Sequence, residues 1–244
     1  MKSTVEILYL LSLAAFCTAC DDGRSNPPCP VDECFHSDPE WTSFNIPVDN
    51  NDFGFQFSNF AGGDEGEVGG FFAEPSVPVW YGDTGISSLS GNDALSASGI
   101  LNIVSVDMDY NNNVFIGHFD NGGFDVLSMN GVGFMLLESA AQIGTSEFRI
   151  AYTIGTTEDL MFTIDGLDQS RTWSYDYDPS AGTSGSLTVS ISGPGGATVT
   201  HFLTSFERDS IGTIQTFGLA EKSHIPPGTM GQAEIYIDDL SYTH

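Results

Sequence analysis

The sequence predicts an all-β protein whose fold is an antiparallel two-sheet β-sandwich. Short segments rich in β-branched and aromatic residues recur from Phe53 to the end of the chain, many with apolar residues at alternate positions. Turn sequences rich in Gly, Asn, Pro and Ser separate these segments. No alternation of strand and helix patterns is present, which argues against a parallel sheet. About a dozen strands at hairpin spacing therefore favour two antiparallel sheets packed face to face.

The predicted strands can be read in order along the chain. They lie in FGFQFSNF, GFFAEPSVPVWY, LNIVSVDMDY, NVFIGHF, FRIAYTIG, LMFTIDG, RTWSYDY, GSLTVSIS, TVTHFLTSF, TIQTFGLA and AEIYIDDLSY. In RTWSYDY the period-two pattern places Trp173, Tyr175 and Tyr177 on one face of a half-buried strand, opposite Ser174 and Asp176. The only helix expected is a short turn near residues 136–142.

The first nineteen residues have the pattern of a secretory signal. Lys2 precedes an apolar run from Ile7 to Phe16, and the small residues Thr18 and Ala19 precede Cys20. The apolar run is about half the length that a membrane-spanning helix needs. The small-small-Cys ending resembles a bacterial lipoprotein box. That resemblance implies that Cys20 is lipidated and that the protein sits in the cell envelope outside the cytoplasm; cleavage after Ala19 to give a secreted protein is the alternative.

Residues 20–40 are rich in Pro and Asp, a composition typical of an extended tether, and residues 41–244 are predicted to form the sandwich domain. Cys29 and Cys34 lie in CPVDEC and are predicted to close a small disulfide loop in an oxidising compartment. Zinc binding is the alternative, but with His36 it offers only three of the about four ligands required.

The charge balance excludes one class of partner. The net charge is −27, and the chain carries six Lys and Arg against 33 Asp and Glu. Such a surface repels phosphate backbones and anionic lipid, so no nucleic acid is expected as a partner, and membrane contact is expected through the lipid anchor only. The acidic surface suits solubility in salt or the binding of divalent cations.

Four segments follow one another along the chain as strand patterns: GEVGGFFAE, SYDYDPSAGTSGSLTVSISG, IGTIQTFGLAEK and the final GQAEIYIDDLSYT. In this order they resemble strands of the concanavalin A-like superfamily of jelly-roll lectins, glucanases and laminin-G-like domains, with the last resembling the closing strand. The resemblance implies a jelly roll that binds or degrades carbohydrate, or that serves in adhesion. It also implies a structural Ca²⁺ held by Asp238 and Asp239, completed by backbone carbonyls and by Asp49 or Asp52. The alternative role for these two residues is hydrogen bonding at the end of a strand.

Trp80, Tyr81 and Asp83 in VWYGDT are the candidate carbohydrate-binding residues. Sugar rings stack on aromatic faces while their hydroxyls bond to carboxylates and amides. Because the pair runs into the turn GDTG, we expect at least one of the two rings near the surface. Burial in the core is the alternative, since Trp and Tyr in strands often pack inside.

No catalytic residue is assigned from the sequence. The paired-carboxylate patterns ExDxE and ExDxxE of laminarinase-like glucanases are absent, and Asp125, Glu138 and Glu147 are scattered. A lyase would need a Tyr or His base and a cation; the candidates lack motif spacing and are His118, His201, Arg149, Arg171 and Arg208. The sequence favours a surface-anchored module that binds a polysaccharide or glycoconjugate, with Ca²⁺ as its candidate structural cofactor. A polysaccharide-degrading enzyme and a non-catalytic structural or adhesive protein are the alternatives.

Overall fold

The computed structural model describes residues 33–44, 46, 53–63, 65–73, 79–107, 113–121, 129–138, 146–154, 156–164, 167–222 and 232–244. Within these residues the chain is nearly all β, with one short helix. The strands are β1 (Thr42–Phe44), β2 (Gly54–Gln56), β3 (Glu67–Ala73), β4 (Val79–Asp83), β5 (Leu89–Ser90), β6 (Leu95–Asp107), β7 (Asn113–Phe119), β8 (Met129–Glu138), β9 (Ser146–Ile154), β10 (Thr156–Ile164), β11 (Arg171–Asp178), β12 (Ser186–Ile191), β13 (Thr198–Phe202), β14 (Thr213–Ile214), β15 (Thr216–Lys222) and β16 (Gln232–Tyr242). The helix is α1 (Ser205–Ser210).

These strands form two seven-stranded sheets and one two-stranded sheet. The first sheet has the order β1-β4-β15-β7-β8-β9-β10, and the second has the order β13-β12-β11-β6-β16-β3-β2. Strands β14 and β5 form the small sheet. Neighbouring strands in both large sheets run antiparallel. The predicted antiparallel two-sheet β-sandwich is confirmed.

The two large sheets enclose a common hydrophobic core. In β11, Trp173, Tyr175 and Tyr177 are buried while Thr172 and Asp176 are exposed, so the predicted alternation of faces is confirmed. Trp173 of the second sheet meets Phe134 of the first sheet edge to face, with 5.2 Å between ring centroids. Contacts of this kind join the two sheets, because each apolar face is buried against the other.

The folded part of the chain begins before Trp41, which corrects the predicted boundary of the tether. Glu33 and Leu240 exchange two backbone hydrogen bonds of 2.9 and 2.8 Å. Phe35 is 2% exposed and packs edge to face on Trp41 within the main core. The composition of residues 20–40 hid this, because a single aromatic residue in a polar segment suffices to anchor it to a core. Residues 33–40 thus belong to the sandwich; residues 1–32, with the predicted signal, Cys20 and Cys29, lie outside the described residues.

Cys34 is disulfide-bonded and buried. The remaining cysteines of the chain lie outside the described residues, so the specific pairing of Cys34 with Cys29 stays a prediction.

The position of the helix differs from the prediction. Residues 136–138, the start of the expected helical turn, belong to strand β8, and residues 139–145 lie outside the described residues. The helix α1 instead follows β13, in a segment that the apolar pattern assigned to a strand. Thr204 caps it in a capping box: the Thr204 hydroxyl accepts from the Glu207 N–H at 3.3 Å, and Oε2 of Glu207 accepts from the Thr204 N–H at 2.6 Å. No helix in the described part of the chain is long and apolar enough to span a membrane.

Candidate functional site

The predicted sugar-binding residues Trp80 and Tyr81 lie next to each other on β4 and therefore face opposite sides of the first sheet. Tyr81 points into the core between the sheets, where its hydroxyl donates to Oδ1 of Asp38 at 3.4 Å. Burial, with the nearby charge of Asp38, raises the pKa of Tyr81 well above its usual range. Trp80 is only 4% exposed and stacks on Phe44, with 5.8 Å between centroids. The expectation that one of the two rings lies near the surface is wrong, because both faces of β4 are covered.

Asp83 ends β4 and is engaged in local structure. Its Oδ1 accepts from the Gly85 N–H at 2.7 Å, and its Oδ2 accepts from the Tyr242 hydroxyl at 3.0 Å. The structure therefore gives Asp83 a role in joining β4 to the end of β16. It does not place Trp80 and Tyr81 on one accessible face with Asp83.

The outer face of the first sheet is filled around Trp80. Trp80 contacts Phe119 edge to face, and both belong to a second buried cluster that also contains Phe115, Met135 and Ala220. The cluster lies beside a row of glycines that pair in register across four strands, namely Gly82, Gly218, Gly117 and Gly133. A β carbon on Gly133 would lie 2.1 Å from the carbonyl oxygen of Ile116, so a side chain is excluded there. Glycine at these positions permits close strand packing beneath the aromatic rings.

The predicted calcium ligands Asp238 and Asp239 lie on β16, at an irregularity in its pairing with β6. Asp238 is fully buried, and its Oδ1 accepts from the Asp239 N–H at 2.7 Å. Its Oδ2 lies against Gly63: a β carbon on Gly63 would be only 1.9 Å from this oxygen, so a side chain at residue 63 would have to displace the carboxylate. Asp239 has a φ of 51°, in the left-handed region.

No third His, Cys, Asp or Glu of the described residues joins these two carboxylates in a metal-binding group. The described part of the chain contains no group of three or more His, Cys, Asp or Glu placed to hold a metal ion. Ca²⁺ needs about six to eight oxygen ligands, and two adjacent aspartates supply too few. Asp49 and Asp52, the predicted partners, lie outside the described residues, so calcium binding stays a prediction.

The candidate lyase residues with described side chains lie in separate parts of the sandwich. His118 is buried between the sheets, where its Nδ1 meets the Tyr175 hydroxyl and its Nε2 lies 2.8 Å from the Thr243 carbonyl oxygen. His201 contacts Oε2 of Glu207 at 3.2 Å, near the start of α1.

The two described arginines of that candidate set bind backbone oxygens. Arg171 donates to the carbonyls of Ser192 and Pro194 at 3.0 and 2.9 Å. Arg208 donates to the carbonyl of Gly91 at 3.2 Å. Because a guanidinium offers several donors in a fixed plane, each arginine holds loops in place. The side chains of Arg149, Glu138 and Glu147, and all of Asp125, lie outside what the structure describes.

An exposed aromatic patch lies instead on the outer face of the second sheet. Phe60 stacks on Tyr236 with 4.7 Å between ring centroids and 26° between ring planes, and 47% of Phe60 remains exposed. Tyr236 lies on the outer face because its neighbours Ile235 and Ile237 point into the core. Phe57, on the same loop as Phe60, is 72% exposed and packs edge to face on Phe55. We call the loop of residues 57–66 the aromatic loop and the stacked rings of Phe60 and Tyr236 the ring pair.

A buried carboxylate fixes the aromatic loop to the sheet. Glu67, the first residue of β3, is fully buried, and its two oxygens accept from the N–H groups of Phe60 and Ala61 at 2.9 and 2.6 Å. The Gly66 N–H also donates to the Ser58 carbonyl at 3.0 Å, which closes the loop at its base. Charge-assisted hydrogen bonds of this kind are strong, so the backbone of Phe60 is held in one place.

A buried amide holds the loop from the neighbouring strand. Asn102 of β6 donates from Nδ2 to the Phe60 carbonyl at 2.7 Å and to Oδ1 of Asp168 at 3.3 Å. Asp168 has a φ of 55°, a left-handed conformation that Asp tolerates better than most residues. The Tyr236 hydroxyl donates to Oε1 of Glu234 at 2.9 Å. Tyr236 is itself only 6% exposed, so the ring pair presents the half-exposed ring of Phe60, held on a buried tyrosine. One carboxylate, Asp168, bonds to the amide that holds Phe60, and the other, Glu234, bonds to Tyr236.

The sequence pattern does not predict this patch. Phe57 and Phe60 lie in FGFQFSNF, a segment that the pattern predicts to be a strand. The available signal was the position of Phe60 directly before the turn sequence AGGDEG. Glu67 and Asn102 carried no local signal, because their role depends on how β3, β6 and β16 pair.

Comparisons with known proteins find structural similarities but no family. No family model and no curated protein sequence matches this chain. Among solved structures, the chain is similar to the metal-free carbohydrate recognition domain of Emp46p, with 9% identity, a TM-score of 0.45, and coverage of 71% of this chain and 87% of that one. It is also similar to an alginate lyase from Pseudomonas aeruginosa, with 14% identity, a TM-score of 0.44, and coverage of 80% and 87%. Peanut lectin shows 12% identity, a TM-score of 0.45, and coverage of 83% and 97%. With TM-scores below 0.5 these similarities support no conclusion on function, and the fold class follows from the strand order and register.

Proposed function

We propose that the protein is a glycan-binding module and that the ring pair of Phe60 and Tyr236 is its contact surface. The observation that carries the proposal is that Phe60 is stacked on Tyr236 and yet 47% exposed. Apolar faces of pyranose rings stack on aromatic faces, which gains contact area at small entropic cost when the ring is already fixed.

The polar groups around the ring pair suit the same ligand class. The carboxylate of Asp168 accepts a hydrogen bond from Asn102, which also holds the Phe60 carbonyl, and the carboxylate of Glu234 accepts one from Tyr236. Ionised carboxylates have further acceptor capacity, which sugar hydroxyls fill as donors. A few placed polar groups beside an apolar surface are the usual arrangement of a small-ligand site.

The test is a glycan screen with the full chain, produced in a host that exports it, and with two matched variants. Phe60→Ala removes the exposed ring, whereas Phe206→Ala removes a ring that is 77% exposed on α1, away from the patch. We expect selective binding by the wild type and by Phe206→Ala, and a loss of about threefold to tenfold in Phe60→Ala, since a stacked aromatic ring contributes about 0.5–1.5 kcal/mol beyond its buried area. Binding that survives Phe60→Ala would contradict the proposed site, and absence of binding to any glycan would contradict the function.

The same screen tests the residues proposed from sequence. Trp80→Ala would be the decisive variant if the outer face of the first sheet bound the glycan. Because Trp80 is buried, we expect this change to lower stability. Repeating the screen with Ca²⁺ and with EDTA tests the predicted ion at Asp238 and Asp239: equal binding and equal melting temperature in both buffers would contradict it.

We further propose that the module is exported and anchored in the cell envelope through lipidated Cys20. The support is the N-terminal pattern described above, with an apolar run and small residues directly before Cys20. Labelled fatty acid should be incorporated into the wild-type protein and absent from Cys20→Ser, which should move to the soluble fraction. An unlabelled, soluble wild-type protein would instead support cleavage after Ala19 and secretion.

A further inference from the structure

We infer that the ring pair recognises an amine-bearing saccharide, such as a polymer of unacetylated hexosamine, rather than a uronate or sulfated one. This inference rests on the proposed function and names the ligand class of that same site. It follows from the polar groups that surround Phe60 and Tyr236 in the described residues.

Two carboxylates bond to residues that hold or form the ring pair, and neither has a basic partner among the described residues. Asp168 is exposed and is positioned by Nδ2 of Asn102, which also holds the Phe60 carbonyl. Glu234 is half-buried and is positioned by the Tyr236 hydroxyl. Both groups are therefore fixed relative to the rings, and both are available to a ligand as acceptors.

In the described part of the chain the surroundings add an acceptor oxygen, and no cationic side chain bonds to Asp168 or Glu234. Asn102 is buried, and its Oδ1 has no hydrogen-bond partner, so an unpaired amide oxygen lies beside Asp168. Arg171 lies on the core-facing side of β11 and donates to the carbonyls of Ser192 and Pro194, and Arg208 donates to the carbonyl of Gly91. With a net charge of −27 on the chain, the field at the ring pair is negative.

A ligand ammonium group satisfies this arrangement in two ways. It donates hydrogen bonds to the carboxylates, and the electron-rich face of the half-exposed Phe60 ring attracts cations. A uronate or sulfate group would instead face Asp168 and Glu234 with like charge, and no described arginine bonds there to neutralise it. The acetylated sugar has the same ring face for stacking but lacks the charge.

The test compares three oligosaccharides of equal length in mildly acidic buffer: a chitosan oligosaccharide, its fully N-acetylated counterpart and an alginate oligosaccharide. We expect the free-amine sugar to bind about tenfold more tightly than the acetylated one at low salt, with the difference shrinking as salt rises, because exposed charge pairs and cation–π contacts are weak and screened. Alginate should bind most weakly.

Three variants of the full chain make the test specific. Asp168→Asn retains a residue that tolerates the left-handed backbone, and Glu234→Gln retains an acceptor for Tyr236; each should reduce the preference for the amine about threefold. Asp176→Asn removes an exposed carboxylate from the outer face of the same sheet, about 20 Å away along β6, and should leave the preference unchanged.

Each outcome separates the ligand class from the proposed function. Equal or tighter binding of acetylated sugar or alginate, lost in Phe60→Ala, would overturn the amine preference and leave glycan binding by the ring pair intact. An amine preference that persists in Phe60→Ala, or that falls as much in Asp176→Asn, would show general attraction to an acidic protein and overturn the inference. Failure of all three sugars to bind would overturn both.

Discussion

The ring of Phe60 lies on the ring of Tyr236, with 4.7 Å between their centroids, and joins the aromatic loop to a central strand of the second sheet. The loop is not held by this contact alone. Glu67 accepts hydrogen bonds from the N–H groups of Phe60 and Ala61, and Asn102 donates one to the Phe60 carbonyl. An exposed aromatic residue on a backbone fixed from two strands is a rigid surface, and rigidity lowers the entropic cost of binding.

The variant Glu67→Gln tests whether the buried carboxylate of Glu67 holds the aromatic loop in place. The amide keeps the shape of the side chain but presents an NH₂ group to one of the two N–H donors, which leaves a buried donor unsatisfied. We expect the free energy of unfolding to fall by about 1–3 kcal/mol and glycan affinity to fall with it. Chemical denaturation measures the first effect, and Glu65→Gln, at an exposed position in the same loop, is the control. A variant as stable as the wild type would show that Glu67 does not hold the loop.

Acid should destabilise the fold through His118. Burial lowers the pKa of His118 to about 4, partly opposed by its hydrogen bond to Thr243 and reinforced by the charge of His244. The unfolded chain takes up a proton near pH 6.5 and the folded protein only near pH 4, so stability is complete above pH 6.5 and is lost as the pH falls between these values. The loss amounts to about 3 kcal/mol.

The variant His118→Gln tests this assignment. It should be less stable than the wild type at neutral pH, and its stability should depend less steeply on pH between 6.5 and 4. Leu101→Ala, a core change without a titratable group, should lower stability by a similar amount at every pH. Parallel pH profiles for His118→Gln and the wild type would rule out His118 as the source of the acid sensitivity.

The segment before Trp41 should contribute to stability. The Phe35 ring is buried against Trp41. The Phe35 backbone packs closely on Gly66, because a β carbon on Gly66 would lie only 1.8 Å from the Phe35 carbonyl oxygen. Truncation by Phe35→Ala should cost about 3–5 kcal/mol, whereas Phe206→Ala at an exposed position should cost less than about 0.5 kcal/mol. Urea unfolding measures both. If Phe35→Ala lowers the free energy of unfolding by less than about 1 kcal/mol, residues 33–40 belong to the tether and not to the folded domain.

The capping box of α1 gives a smaller effect. Thr204→Ala removes the hydroxyl that accepts from the Glu207 N–H and should lower the free energy of unfolding by about 1 kcal/mol. Thr204→Ser retains the hydroxyl and should be close to the wild type. Equal melting temperatures for the two variants would mean that the cap does not stabilise the helix in this fold.

The fold class could be predicted because its signal is local. The alternation of Trp173, Tyr175 and Tyr177 with polar residues follows from the geometry of a single strand. The helix α1 had a local signal too, the T-S-F-E capping box from Thr204 to Glu207, but the apolar residues beside it favoured a strand interpretation.

The site could not be predicted in the same way, because burial of a strand depends on distant parts of the chain. Trp80 precedes a turn and suggests a surface ring, yet Phe44, Phe115 and Phe119 come from other strands to bury it. Phe60 sits in a stretch that suggests a core strand, yet it remains half exposed on Tyr236. The partners that fix it are set by strand pairing, which a single sequence does not display.

The most direct test of the account is the environment of the Phe60 ring when glycan is added. In protein with isotope-labelled phenylalanine rings, with the Phe60 resonance assigned from Phe60→Ala, an NMR titration follows Phe60 and Phe206 together. A glycan bound at the ring pair should cause a saturable shift of the Phe60 ring signals at the glycan concentration at which binding occurs, with the Phe206 signals unchanged. Glycan binding that leaves the Phe60 signals in place would contradict the proposed site.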